Sequence, residues 1–393
     1  MRDDSGEAEV LHQGPAIPDG AWVQVEGRAS EGRMLAQHVQ VVSVGPELGT
    51  EGLLSSSEFA LRRRRRTQRD VLLRCLRQGF EARAFIEVET PSLLDAPGQE
   101  PHLEPFETEW CGQPLWLATS PEYAMKRLLV EGADRIYQLG RSFRSGRDEQ
   151  SHWHQPEFTL LEWYRAFESL EALREDLHWL GATAARAVTG GTVVARAGLF
   201  CDLALEPRWL SVERAFTDYA GVDLEPYLDG AHASFLSSLG LDPAAESDLP
   251  EAADREFSRV LIDRIEPRLG CGRPTLLVDY PARHAALAEL SPEDPRVARR
   301  FELYVTGVEL ANAFQELRDP VEQERRLREE NEVRARRDGV RLPIDERFLH
   351  ALRVGLPPSV GIALGVDRLL TLLCGARSID EVVCEPRSSA SRV

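Results

Sequence analysis

The sequence predicts an α+β fold, an antiparallel sheet with helices around it and a small β unit in front. Three observations predict it. Residues Arg135–Tyr164 read as two strands joined by a long polar loop, with Phe158, Leu160, Glu162 and Tyr164 on one face of the return strand at period two. Elsewhere, strand and helix patterns follow one another without the regular alternation that a doubly wound sheet requires. No self-similarity shows at periods of about 20–50 residues, which removes solenoids and propellers.

Residues 1–20 are acidic and carry Pro15 and Pro18, the composition of a disordered start. Residues 21–55 hold W-V-Q-V-E-G-R and H-V-Q-V-V-S-V around an E-G-R turn, a small antiparallel β unit that resembles a truncated oligonucleotide-binding barrel. Its end, Gly45–Ser57, reads as a linker. The main domain is expected over 56–393. It opens with a helix from about Ser57 to Gly79, whose Leu72, Leu76 and Phe80 recur at fourfold spacing and whose Arg62–Arg66 run reads as a solvated end, with an anionic partner as the alternative. A strand over Phe85–Thr90 stops at Pro91. Leu115–Ala118 is a second short strand, and S-P-E-Y at Ser120–Tyr123 starts a helix with Ser at its cap and Pro in its first turn.

After the central hairpin, Leu170, Leu173, Leu177 and Leu180 line one helix face. Residues of about 190–255 read as a helical insertion with loops. Pro274–Tyr280 and Phe301–Phe314 return to strand character. Val321–Arg337 is a highly charged helix expected to be mostly solvated. Ser359–Leu373 passes from strand into helix through G-I-A-L-G-V-D-R-L-L.

Composition excludes several classes. The chain has 393 residues, 42% hydrophobic and 28% charged, with a formal net charge of −18. That sign opposes generic attraction to nucleic acid, so tRNA binding is expected to be unlikely. No apolar run is long enough to span a bilayer and the first twenty residues do not read as a leader, so the expectation is a cytoplasmic protein with no membrane partner. Six cysteines lack C-x-x-C spacing, which argues against a zinc site and a disulfide framework and for reduced core thiols. Lys126 is the only lysine among 47 basic residues. A P-loop or protein-kinase arrangement is thereby excluded, and any nucleotide would be gripped by arginines. Lys126 itself is either a residue that arginine cannot replace or a leftover.

Four groups of residues carry possible chemistry. Gly140, Ser142 and Arg144 share a face, two small residues beside a guanidinium that can fork onto phosphate or carboxylate. Glu162 and Tyr164, on the neighbouring strand, suit an ammonium group. Glu302, Glu309, Asn312 and Glu316 follow in F-E-L-Y-V-T-G-V-E-L-A-N-A-F-Q-E-L; a bulge at Gly307 would bring Glu302 and Glu309 to one side, where two carboxylates suit Mg²⁺ with nucleotide phosphates. Glu316 is left for a substrate amine. At the Gly365 junction, Asp367 and Arg368 stand in the first helical turn, where an anion is favoured. His152 and His154 lack a third ligand nearby and read as polar loop residues.

Taken in order, F-I-E-V-E-T-P, F-R with a loop and Q-P-E-F-T, and G-V-D-R resemble the three motifs of the class II aminoacyl-tRNA synthetase catalytic domain. T-S-P-E-Y-A-M-K-R-L-L, P-E-F-T-L-L-E-W-Y-R, V-E-L-A-N-A-F-Q-E-L and G-I-A-L-G-V-D-R-L-L are similar to the lysyl branch, and within it to the elongation factor P (R)-β-lysine ligase family. The resemblance implies ATP and Mg²⁺ as cofactors, with Arg144 and Arg368 catalytic and holding the ATP phosphates. Phe158, Glu309, Leu310 and Gly365 would complete the ATP site, and Glu302 and Glu309 the metal site. Ser120, Pro121, Glu122, Glu162, Tyr164, Asn312 and Glu316 would bind (R)-β-lysine or lysine. It further implies elongation factor P as acceptor and a homodimer. The alternatives are a lysyl-tRNA synthetase-like enzyme charging tRNA or another amine, and an inactive synthetase-like regulator. Three features point to the ligase: the small N-terminal β unit, Ser120 where synthetases of this branch usually have alanine, and Ala363 where they usually have glycine. The chain departs from the pattern after Arg144, where Ser145 and Gly146 replace the usual N-E and the loop is about two residues longer, leaving Asp148 or Glu149 to replace the glutamate. Gln155 and Ala313 replace a usual asparagine and glycine.

Overall fold

A computed structural model describes residues 2–3, 6–7, 9–11, 13–17, 22–30, 33–43, 56–100, 103–146 and 151–385. The chain divides into two compact units, Met1–Thr67 and Gln68–Val393. In the first, β1 (Arg2–Asp3) pairs with β2 (Gly6–Glu7), and β3 (Glu9–Leu11), β5 (Arg33–Ser43) and β4 (Trp22–Ser30) form a three-stranded sheet in that order. The antiparallel pair is where the alternation put it. Strands β1, β2 and β3 fall where disorder is expected; β3 pairs in parallel with β5, so backbone hydrogen bonding there outweighs an acidic, proline-bearing composition. Most of the expected linker lies outside the described residues. Helix α1 (Ser56–Glu81) crosses the division, and of the run expected to be solvated Arg62, Arg64 and Arg66 are exposed while Arg65 is buried.

The second unit is built on an eight-stranded sheet. Its members in chain order are β6 (Ile86–Glu87), β10 (Arg135–Phe143), β11 (Glu157–Ala166), β14 (Arg208–Ser211), β15 (Thr275–Pro281), β16 (Val297–Val305), β17 (Val308–Gln315) and β18 (Ser359–Gly365). Across the sheet the order is β14-β15-β16-β17-β18-β11-β10-β6. Only the outermost pairs, β14 with β15 and β6 with β10, are parallel. The expected strand over Phe85–Thr90 shrinks to two residues, with Ile86 exposed. A separate sheet joins β7 (Leu93–Leu94), β9 (Gln113–Leu117) and β8 (Glu107–Trp110).

Alternation along β11 sends its side chains to two different cores. Leu161 and Trp163 meet Leu72, Leu76 and Phe80 of α1, Leu173, Leu177 and Leu180 of α3 (Leu170–Thr189), and Leu369 and Leu370 of α10 (Val366–Leu373). Asp176 of α3 accepts hydrogen bonds from Trp163 Nε1 at 3.0 Å and Arg165 Nε at 2.8 Å, which fixes the helix against the strand. The opposite face carries a hydrophobic cluster at each end. At one end sit α2 (Glu122–Val130), α8 (Pro320–Asp338) and α9 (Glu346–Gly355), packing Met125, Leu129, Leu327 and Phe348 around Tyr164. At the other, α4 (Val212–Ala215), α5 (Glu225–Leu228), α6 (His232–Ser238) and α7 (Leu249–Val260) pack Phe216, Tyr227 and Phe257 over Leu277, Tyr280 and Tyr304. Between the two caps the sheet forms a trough floor.

Several expectations are corrected here. The region of 190–255 is not wholly helical: it holds a hairpin of β12 (Val193–Arg196) and β13 (Leu199–Asp202) and the edge strand β14, and its helical part continues to Arg268. Phe301–Phe314 is a hairpin, with Thr306 (φ 49°) and Gly307 (φ 74°) as a two-residue turn; the bulge lies at Leu303/Tyr304 instead of Gly307. Helix α8 buries a polar face, Gln323, Arg326, Asn331 and Arg334, so its charge is not all solvated. Among the cysteines Cys201 is a core thiol, while Cys111, Cys271 and Cys384 are exposed.

Candidate active site

Antiparallel register sets the trough floor. Glu162 pairs with Gln138 on β10 and Ala363 on β18, and Ala363 pairs with Asn312 on β17, which pairs with Glu302 on β16. Gln138, Glu162, Ala363, Asn312 and Glu302 therefore stand in one row across five strands. Gly361 pairs with Tyr164, and a Cβ there would land on the Tyr164 ring and the Glu316 carboxylate. Only glycine leaves those two side chains room.

One end of the trough is acidic. Glu162 accepts from Ser120 Oγ at 2.9 Å and Tyr164 OH at 2.7 Å, and is 2% exposed. Ser120 Oγ also accepts from the Glu122 amide at 3.1 Å, so the S-P-E segment is tied to β11 just as α2 begins. Pro121 occupies the cap position of that helix. Burial, reinforced by the Glu122 charge, holds the Glu162 carboxyl up to about 8. Burial likewise holds Glu316 up to about 8 against the opposing pull of Lys126. Burial and then the Glu162 carboxylate keep the Tyr164 hydroxyl well above the ordinary phenol range. A cleft of about 20 Å³ lies against Glu100, Ser120 and Glu122, room for a single water in this state.

The other end favours an anion. Four residues back along β11, roughly 13 Å from Glu162, Phe158 lies under the Arg144 guanidinium, 5.0 Å from ring centroid to Cζ. Strands β10 and β18 end at this edge, and β11 and β17 begin there, so Arg144, Phe158, Gly365 and Glu309 share it. Arg368 pairs with Glu309 at 3.2 Å and donates to the Glu309 carbonyl at 3.0 Å. It also donates to the Trp153 carbonyl at 3.3 Å and to His154 Nε2 at 2.6 Å, and His154 Nδ1 meets Ser151 Oγ at 2.6 Å. Asp367 faces inward instead. It pairs with Arg69 at 2.5 Å and accepts from the Thr159 amide at 2.7 Å, so it anchors the helix start and is not available to a ligand. Leu310 is buried in the core beneath the sheet, which leaves only its backbone to face the trough.

Glu302 accepts from Tyr280 OH at 2.5 Å, Tyr304 OH at 2.7 Å and the Arg300 guanidinium. Arg300 also donates to Asn312 Oδ1 at 3.1 Å. Sequence reasoning missed Tyr280, Arg300 and Glu266. Glu266 comes from the insertion, accepts from Tyr304 OH at 3.1 Å, and is held up to about 7 by burial and then by Glu302 and Glu309. No local pattern marks a residue that reaches the site from a different layer. His154 was a missed neighbour of Arg368 for the same reason. Asp148 and Glu149 lie outside the described residues. A larger groove, about 350 Å³, sits on the outer face of α3 beside Arg174, His178 and Arg186 and contains none of these residues.

The functional residues thus lie on the floor of a helix-flanked, largely antiparallel sheet, with an acidic end and an arginine end. A family model described as tRNA synthetases class II (D, K and N) matches residues 60–389, and the chain belongs to that family. Amino-acid activation and ligation are the general chemistry of that family. No described helix is long and apolar enough to cross a membrane.

Proposed function

We propose that the chain activates a dibasic amino acid, (R)-β-lysine or lysine, as an aminoacyl-adenylate and transfers it to a lysine side chain of elongation factor P. One observation carries the choice of amino acid: Glu122, Glu162 and Glu316 converge at the acidic end with Lys126 as the single ammonium between them. A family that spans aspartate, lysine and asparagine admits three side-chain charges, and three carboxylates repel an anion and reward a cation. Ser120 and Tyr164 orient Glu162, and Asn312 is turned by Arg300. Each fixes a group before the substrate arrives.

ATP would lie at the opposite end, its adenine against Phe158 and its phosphates between Arg144 and Arg368, near the backbone of Leu310 and Gly365. Glu309, once Arg368 turns to the phosphates, and Glu302, once Arg300 releases it, would offer Mg²⁺ two carboxylates in the company of phosphate oxygens, where the ion would supply charge neutralisation. Among the described residues no three His, Cys, Asp or Glu side chains are arranged for a metal, so phosphate would complete the shell. The chain's own part is alignment: the acidic end holds the amines, which leaves the substrate carboxylate pointing along β11 toward the arginines.

The acceptor follows from the resemblance and from a net charge of −18, which opposes a polyanion. Exposed Ile86 and Leu93, in the stretch whose resemblance implies a homodimer, offer apolar surface for a second copy. Pyrophosphate exchange across the twenty amino acids and (R)-β-lysine tests the first step; exchange confined to dibasic amino acids is expected. Weighing elongation factor P after incubation with enzyme, ATP and the amino acid tests the second. Exchange without mass gain, together with charging of tRNA, would transfer the assignment to a synthetase.

A further inference from the structure

We infer that Lys126 is a positioning residue of the amino-acid pocket, an internal ammonium that holds Glu122 and Glu316 in one arrangement and sets how many cations the pocket takes from its substrate. The inference rests on the pocket being the site of a dibasic amino acid. Lys126 stands one turn after Glu122 on α2, and its Nζ lies 2.6 Å from Glu122 Oε1 and 2.6 Å from Glu316 Oε2. It is 1% exposed and Glu316 0%. So compact a placement excludes water from the pair, and removing either partner would leave a buried charge uncompensated.

The charges then count out. Glu122, Glu162 and Glu316 bring three negative charges when ionised and Lys126 returns one, which leaves two for the ligand. A dibasic amino acid has two ammonium groups. Lys126 meets only one oxygen of Glu316, and Oε1 has no donor among the described residues, so acceptor capacity remains for an arriving N–H. The rest of the chain argues in the same sense. All 46 other basic residues are arginine, and lysine is kept where a point charge on a slim stem must fit between two carboxylates. An arginine fork is wider and spreads its charge over a plane of donors instead of a single point.

The groups around Lys126 are Glu122 on α2, Glu316 just after β17, Glu162 and Tyr164 on β11, Glu100, and the face of Phe348 on α9, 5.8 Å from Nζ. Burial alone would lower the pKa of Lys126, but Glu122 and Glu316 outweigh it and raise it. A sole lysine makes the test direct. The full chain labelled with ¹⁵N at lysine side chains gives one Nζ resonance. It is expected to remain an ammonium beyond the pH at which free lysine titrates, about 10.4, and to shift when L-lysine is added to saturation. An Nζ that titrates like free lysine, or one that ignores L-lysine while exchange activity is intact, overturns the inference.

Variants supply the second arm. Lys126→Met should raise the amino-acid KM ~10-fold or more with the ATP KM unchanged, and adding Glu316→Gln to it should recover part of the loss. Equal rises in both KM values, or no recovery, would count against a positioning role. If no amino acid supports exchange, the functional reading fails separately, because the Nζ titration still reports the ion pairs.

Discussion

On the proposed reading, Glu162, with Glu316 held up to about 8 beside it, sets the pH at which the pocket would accept a cation. Its carboxyl is raised from 4.5 to about 8, chiefly by burial, so between these values the folded chain holds a proton that the unfolded chain lacks. Stability of the empty protein therefore falls as pH rises through that window, a loss complete above about 8. An ammonium ligand reverses the balance, since binding replaces the proton by a cation. The amino-acid KM is expected to fall as pH rises toward about 8, with protons released on binding, seen by calorimetry in two buffers of different ionisation heat. Glu162→Gln should flatten that dependence and raise KM ~10–100-fold, the range for losing a charge-assisted hydrogen bond of ~1.5–3 kcal/mol. A KM in the variant that still tracks pH as before would place the titration elsewhere.

The junction of β18 with α10 shows how an element aims a residue. Arg368 reaches Glu309 because the preceding residue, Asp367, is locked by Arg69 of α1 and by the Thr159 amide of β11. Asp367→Ala strips a buried guanidinium of its partner, at a cost of ~3–5 kcal/mol, and frees the start of the helix. The expected result is a lowered Tm together with an ATP KM raised more than the amino-acid KM. Unchanged stability would show the pair to be dispensable. The same junction marks what was legible in the sequence. Strand, helix and Arg368 could be read from G-I-A-L-G-V-D-R-L-L, because period and turn chemistry are local. The inward role of Asp367 could not, because Arg69 lies 298 residues away. The 301–314 stretch makes the complementary point. Thr306-Gly307 is a turn of positive φ, yet continuous apolar character on both sides hid it, and the bulge was placed at the glycine when register puts it at Leu303/Tyr304. Glu302 and Glu309 still both act on the carboxyl of Glu266, by a route that alternation did not foresee.

Across the whole molecule, the supply of amines bears on the chemistry proposed. An aminoacyl-adenylate is an activated acyl group, and any accessible amine attacks it. A lysine-bearing enzyme that made one would acylate its own surface whenever the intermediate escaped. In this chain the one lysine side chain is 1% exposed and ion-paired on two sides, while the exposed basic residues are arginines whose guanidinium groups stay protonated and are poor nucleophiles. After prolonged turnover with ATP and lysine, peptide mapping is therefore expected to find Lys126 unmodified. Arg141→Lys supplies the contrast. Arg141 is half exposed on β10, and among the described residues its ion pair is a 3.5 Å contact to Glu157, so a lysine there presents an amine to solvent. That variant should gain one lysyl group at position 141 under the same conditions, detected by the same mapping, in proportion to the adenylate released. Modification of Lys126 in the parent chain would show that the ion pairs open during turnover, and an unmodified Lys at position 141 would show that the intermediate stays bound until its acceptor arrives.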